Sequence, residues 1–314
     1  MGTLEHYMRW VRNIVAHSKG GHIQPVYGIG LEADLTEDLA PHLPGFRDSG
    51  PVRRGNQAAE HIQHDVYGQV VLGVAQSFFD HRLLAQPGIA EFEQLEPVGE
   101  RAFAVYDTPD AGIWEFRTIA HVHTSSAIMC WAACDRLSLI ADRLGLESRA
   151  AYWRERADII HATILDKAWN DDVKAFTAAF GGTDLDASVL LMAEIGFLPA
   201  TDERYVATVD AVDRDLRMGD HVYRYKVEDD FGKPKTAFTA CTFWFIDALY
   251  RVGRVEEARR MFETVLATRN HLGLLSEDVD TETGELWGNF PQTYCMVGII
   301  NSAALLSKPW AAVT

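Results

Sequence analysis

Apolar positions along this chain recur mostly at helical spacing. Leu4, Tyr7, Met8, Val11, Ile14 and Val15 fall on one stripe, so residues 4–18 are predicted to form an amphipathic helix. The same period returns over residues 56–82, with Ala59, Ile62, Val66, Val70, Leu72 and Phe78 as the buried side. Further helices are predicted over residues 124–144, 148–169, 185–195, 202–216, 236–252, 255–268 and 290–306. Arg254, Glu256, Glu257, Arg259, Arg260 and Glu263 alternate in sign as on a solvated outer helix, whereas residues 239–248 are apolar almost all round, as on an inner one. Strand patterns are scarce, the best being residues 174–178 as one arm of a short hairpin. Residues 19–55, rich in Gly and Pro, and residues 87–110 read as loops. A loop as long as the first is functional or disordered, and its aromatics argue against disorder. Outer amphipathic helices alternating with inner apolar ones predict an all-α fold of helical hairpins wound into a toroid. No short-period repeat of a solenoid is present.

Composition narrows the partners. The 314 residues are 47% hydrophobic and 24% charged, enough for a large core in one large domain or two average ones. A formal net charge of -16 argues against nucleic acid or an anionic membrane surface as partner, while a neutral sugar is not repelled by that field. Cys130, Cys134, Cys241 and Cys295 lie in apolar contexts without metal-ligand spacing and read as reduced core residues. Residues 4–17 lack the uninterrupted apolar core of a secretory signal, and residues 237–249 are too short to span a bilayer and are broken by Asp247. A cytoplasmic location is expected.

Two stretches carry candidate chemistry. In Asp110-Ala111-Gly112-Ile113-Trp114-Glu115-Phe116-Arg117 a single carboxylate is flanked by two aromatics. Apolar surroundings disfavour the anion, so the pKa of Glu115 is expected to rise, which suits an acid that gives a proton to a leaving oxygen. The competing reading has Trp114 plugging the core while Glu115 pairs with Arg117. The second stretch, residues 273–280, holds Glu277 in a loop entering the last helix. Asp278 and Asp280 read either as a solvated acidic turn or as a cation site with loop carbonyls, without EF-hand spacing. Asn56, Gln63, His64 and Asp65 precede Tyr67-Gly68 and either cap a helix or line a cleft. His121 and His123 read as structural. Two carboxylates among Trp114, Phe116, Trp287 and Tyr294 suit glycoside hydrolysis, in which one acid protonates the glycosidic oxygen and the other activates water or attacks carbon. Aromatic faces stack on sugar rings.

Gly-Ile-Trp-Glu-x-Arg at 112–117, Leu-Leu-Ser-Glu at 274–277 and Gly-Asn-Phe-Pro-Gln at 288–292 resemble the bacterial branch of glycoside hydrolase family 15, which holds glucoamylases, glucodextranases and some bacterial trehalases. Tyr27-Gly28, Pro51-Val52-Arg53 with Gly55-Asn56, the run from Gln63 to Gly68, Leu185-Asp186-Ala187-Ser188, Gly196-Phe197-Leu198-Pro199 and Arg224-Tyr225 extend the resemblance in order from Gln24 to the C-terminus. It implies an (α/α)6 barrel that hydrolyses an α-glucosidic bond from the non-reducing end with inversion. Glu115 matches the general acid and Glu277 the general base, a pair that inversion requires to stand roughly 6.5–9.5 Å apart. Arg224 matches the arginine that binds glucose in the first subsite, and Trp114 an aromatic wall. Asn56 and Gln292 fall on the pocket lining, Gln292 equally on a cap of the last helix. The implied substrate is an α-glucan, an oligosaccharide or trehalose, with neither metal nor cofactor.

The resemblance also has gaps. Members normally carry an N-terminal β-sandwich and an opening hairpin with an Arg-Trp-Asp-x-Arg…Arg-Asp clamp, neither of which occurs in this sequence. Residues 1–314 are therefore expected to be a single catalytic domain lacking its first barrel hairpin. Exposed inner-helix surface at the open barrel edge is expected to invite oligomers. Lys235 and Thr236 stand where an acidic residue is expected, and Ala127 where many members have Lys. An inactive or partner-dependent sugar-binding fragment is the alternative to an autonomous enzyme, and another helical toroid, such as a lyase or cellulase, is a fold-only alternative.

Overall fold

A computed structural model describes residues 2–18, 21–83 and 85–307. The chain forms two compact units, Met1–Ile164 and Leu165–Thr314.

The first unit begins with α1 (Gly2–Ser18), which buries Met8, Val11, Ile14 and Val15 but leaves Leu4 and Tyr7 exposed. The irregular stretch that follows is ordered by β1 (Asp38–Ala40) pairing antiparallel with β2 (Val52–Arg54), Ala40 opposite Val52. Helix α2 (Asp65–Ala75) is shorter than expected. Asn56 caps a separate 3₁₀ turn by accepting from the Ala58 N–H (3.0 Å), which ends at Glu60, and a second 3₁₀ turn, Gln76–Phe78, closes the segment.

Residues 87–110 are not a loop: α3 spans Ile89–Val105. Pro97 and Gly99 hide it in the sequence, since proline costs about 3 kcal/mol inside a helix. Phe92, Leu95, Val98, Ala102 and Val105 lie on its buried face, and burying each large side chain returns about 1.5–3 kcal/mol. The Glu91 carboxylate caps its start by accepting from the Gly88 N–H (2.8 Å). Helix α4 (Thr124–Arg143) packs most closely against α2, and α5 (Glu147–Lys167) runs across the boundary between the units. Close approach explains two glycines. A Cβ on Gly68 would lie 2.2 Å from the Met129 carbonyl oxygen of α4, and one on Gly99 2.2 Å from Leu137 Cδ1 and 2.7 Å from the Trp153 ring.

In the second unit, β3 (Trp169–Asn170) and β4 (Ala175–Phe176) form the expected hairpin. Residues 185–195 form a 3₁₀ run, Ala187–Met192, rather than an α-helix. The Asp186 carboxylate accepts from both the N–H (2.8 Å) and hydroxyl (2.6 Å) of Ser188, a local bond that competes with helical pairing. Helix α6 (Glu203–Leu216) starts on an Asp202 cap and leads through β5 (Arg217–Met218) to β6 (His221–Val222). Strand β7 (Ala237–Phe238) enters α7 (Thr239–Arg251), which is buried nearly all round and packs against α8 (Val255–Ala267). Helix α8 is the amphipathic outer helix, burying Ala258, Met261, Phe262 and Val265. Strand β8 (Asp278–Val279) lies between β7 and β9 (Leu286–Trp287), and α9 (Thr293–Leu306) follows. All four cysteines are buried and free. Among the described residues no helix is long and apolar enough to cross a membrane.

Gly68→Ala is expected to cost about 1–3 kcal/mol in urea unfolding, because a backbone carbonyl cannot step aside as a side chain can. Asp247 of α7 accepts from Ser302 Oγ of α9 (2.6 Å), and burial pushes its carboxyl up to about 6. A raised folded-state pKa means stability that is present in mild acid and lost as pH climbs from about 4 through 6. Asp247→Asn keeps an acceptor for Ser302 and removes the buried charge. It should raise unfolding free energy at pH 8 by about 1 kcal/mol relative to wild type and leave it near wild type at pH 4.

Candidate active site

In the first unit, the Trp-Glu turn is held from three sides. Asp110 exchanges backbone hydrogen bonds with His121 (2.9 and 3.2 Å), and its carboxylate accepts from the His64 N–H and Ser126 Oγ (both 2.7 Å). The Ala111 N–H donates to the Ile62 carbonyl, and Gln63 Nε2 to the Gly112 carbonyl (both 2.8 Å). The polar string 63–65 at the start of α2 therefore grips the turn. Gly112 adopts φ 65°, and a Cβ there would meet the His123 ring at 2.7 Å. His123 stacks on Phe116 with ring centroids 5.7 Å apart. Burial, followed by the neighbouring His121, lowers its pKa to about 4.

Glu115 also lies in the left-handed region, at φ 60°. Trp114 and Phe116 are half-buried, but Glu115 itself is exposed, which corrects the expectation of an acid desolvated by its aromatic neighbours. The desolvated acids of this unit are Asp65 and Asp110. Burial and the Asp110 charge push Asp65 up to about 7. Burial raises Asp110 to about 6 against the lowering effect of the His64 and Gly112 amides and Ser126. The Arg117 guanidinium meets the Glu37 carboxylate at 3.4 Å, and Glu37 also accepts from Arg53. The motifs around 51–53 and 112–117 are thus joined through Glu37, which lay in the irregular stretch without any sequence signal. Asn56 is exposed, with its side-chain oxygen spent on the 3₁₀ cap.

In the second unit, Glu277 is half-buried at the entry to β8, where its backbone bridges to the Thr239 N–H (2.8 Å) and the Asn289 carbonyl (3.0 Å). Its carboxylate accepts from both the N–H and Nδ2 of Asn289 (3.0 Å each) and from Gln292 Nε2 (3.3 Å). Gln292 also takes the cap role foreseen for it, its side-chain oxygen accepting from the Tyr294 N–H at the start of α9 (3.4 Å). Gly288 has φ 77°, and a Cβ there would fall 2.8 Å from Glu277 Oε2. Asp278, paired with Phe238 and Trp287 across the sheet, is pushed up to about 6 by burial and then by the Glu277 charge, while Arg224 and a Thr236 hydrogen bond pull it down. Asp280 takes the acidic-turn role, accepting from the Glu282 and Thr283 amides (2.9 Å each).

The Arg224 guanidinium meets Asp229 Oδ2 at 3.3 Å, the same oxygen that accepts from Tyr225 Oη at 2.6 Å. The Arg224 carbonyl accepts from the Ala187 N–H (2.9 Å), so the Leu-Asp-Ala-Ser run carries the strand that presents this arginine. Asp229 was missed in the sequence. Its position five residues after Arg224 matches no regular period, and only the fold brings it back. Each unit thus presents one glutamate on a turn shaped by a left-handed residue, and the second also carries a guanidinium oriented by a carboxylate.

A family profile described as glycosyl hydrolases family 15 matches residues 3–304. A trehalase of Mycobacterium tuberculosis is 37% identical over 287 residues, covering 89% of this chain and 41% of its own length. A trehalase of Thermoplasma volcanium is 32% identical over 295 residues, covering 93% and 46%. The chain spans about half the length of these curated relatives. Among solved structures, a wild-type glycosidase superposes with a TM-score of 0.67 at 16% identity, covering 97% of this chain and 79% of the other. A bacterial glucoamylase complexed with acarbose superposes at 0.64 and 16%, covering 78% and 41%. These likenesses place the chain in the expected fold class, the (α/α)6 toroid of helical hairpins.

Gly288→Ala should move the Glu277 carboxylate off its three donors. The variant's urea-unfolding free energy is expected to fall by about 1–3 kcal/mol.

Proposed function

Because this chain belongs to glycosyl hydrolases family 15, we propose that it hydrolyses an α-glucosidic bond with inversion, Glu115 acting as general acid and Glu277 as general base. Glu115 gives its proton to the glycosidic oxygen as the bond to the anomeric carbon breaks. Glu277 takes a proton from the water that attacks that carbon from the opposite face. The products are glucose in the inverted configuration and the released alcohol, and solvent returns both carboxyls to their starting states. Arg224, oriented by Asp229, binds hydroxyls of the glucose ring, and Trp114 supplies an apolar wall. Asn56 and Gln292 belong at the pocket margin, Gln292 through its hold on Glu277. The observation that carries this reading is the anchoring of Glu277: its side-chain donors come from the Gly-Asn-Phe-Pro-Gln run, so the motif exists to aim a carboxylate.

Trehalose is the substrate this reading prefers, because the curated relatives at 31–37% identity are named trehalases. Longer α-glucans, the other implied substrate, present the same α-glucosyl group. A second reading, in which cleavage requires a further segment or partner, is favoured by one observation on α9. Tyr294, Val297 and Ile300 recur at helical spacing, yet all three are exposed, Tyr294 by 70%.

Glucose release from trehalose, maltose, maltotriose and isomaltose tests these readings. The wild type is expected to act fastest on trehalose, with Glu115→Gln and Glu277→Gln each losing at least about 10³-fold in kcat. Release from maltose ahead of trehalose would move the chain to the glucoamylase side. A folded chain inert on all four sugars would select the second reading.

A further inference from the structure

Asp110 plays no part in the reaction above, yet three chain segments meet at its side chain and backbone. It is 2% exposed, and one carboxylate oxygen, Oδ2, accepts from the His64 N–H, just before α2, and from Ser126 Oγ, in the first turn of α4 (both 2.7 Å). Its backbone is tied to His121, and the next two residues are tied to Ile62 and Gln63. These anchors act on a turn that is strained where it matters. A left-handed backbone at a non-glycine residue costs about 1–2 kcal/mol and persists only where its surroundings over-determine it, and Glu115 sits there at φ 60°.

Asp65 lies next to this knot. The groups that face it are Asp110 and Glu115 from the turn, Gln69 and the backbone of its own helix, and Cys130 of α4, which feels both aspartates.

We propose that Asp110, with Asp65 beside it, is the positioning residue of the general acid: it clamps the starts of α2 and α4 to the Trp-Glu turn and so holds Glu115 in its left-handed conformation. The proposal rests on Glu115 being the acid, as read above.

A substrate whose leaving group needs no proton separates positioning from general damage. α-Glucosyl fluoride departs without an acid, whereas trehalose and maltose do not. For Asp110→Ala, kcat on the better of the two disaccharides is expected to fall about 10–100-fold with KM within about three-fold, while kcat on the fluoride stays within about three-fold. Asp110→Asn, whose oxygen can accept the same two hydrogen bonds, should recover most of the loss. Equal losses on both substrates, or no loss on the disaccharide, overturn the proposal. Should Asp110→Ala fail to fold, Ser126→Ala gives an independent readout, since it removes one of the two donors to the Asp110 carboxylate and leaves Asp110 itself in place. Its kcat on the disaccharide is expected to fall about three- to ten-fold with kcat on the fluoride within about two-fold, and equal losses on both substrates, or none on the disaccharide, overturn the proposal. Glu115→Gln in the same series keeps the two ideas apart: undiminished disaccharide cleavage by that variant defeats the general-acid reading itself, whereas its loss together with a wild-type Asp110→Ala defeats only the positioning role.

Discussion

A buried carboxylate accepting from two helices at once is the constraint on which the first unit's site depends. Taking Asp110 out of water opposes folding, but hydrogen bonds to a charged acceptor contribute about 1.5–3 kcal/mol each, and two converge on one of its oxygens. Together with the anchors at Ala111 and Gly112, they tie the turn at several points against the roughly 1–2 kcal/mol of strain at Glu115. The turn can therefore keep a conformation its own sequence disfavours. An exposed carboxylate on a held backbone suits a proton donor better than one on a long mobile side chain, because little orientational freedom is left to lose.

The second unit reaches the same end by other means. Its three-stranded sheet sets Glu277 at a strand entry, and a cap residue of the following helix reaches back to the carboxylate. Glycine at 288 is required by space as well as by φ, since any side chain would occupy the place of Glu277 Oε2. Arg224 meets Asp229 and lowers Asp278. Its charge is thus partly compensated by the protein, which leaves a directional donor for neutral hydroxyls rather than an anion trap.

The acidic residues divide by environment. On the outer helices, Asp213 and Glu257 are shared by Arg217 and Arg254 in an ion-pair network near the surface. Asp65, Asp110, Asp247 and Asp278 are shifted upward chiefly by burial, so their titration falls between about 6 and 7, where stability and function can both respond to pH. The net charge of -16 shows neither class.

Periodicity determined most of the helices, and the division into inner and outer ones, because burial of a 3.6-residue stripe is a local property: α7 is buried nearly all round and α8 on one face, as their patterns require. Linked motifs determined the family. Local reading failed where distant packing overrode propensity, as when α3 formed through Pro97 and Gly99 because α4 and Trp153 cover its face. It failed again for Glu37, Asp110 and Asp229, whose partners lie 80, 46 and 5 residues away and share no period with them. That Glu115 is exposed, and that the desolvated carboxyls are Asp65 and Asp110, was decided by the tertiary structure alone. Flanking residues say what is adjacent along the chain, while desolvation depends on what surrounds an atom in space.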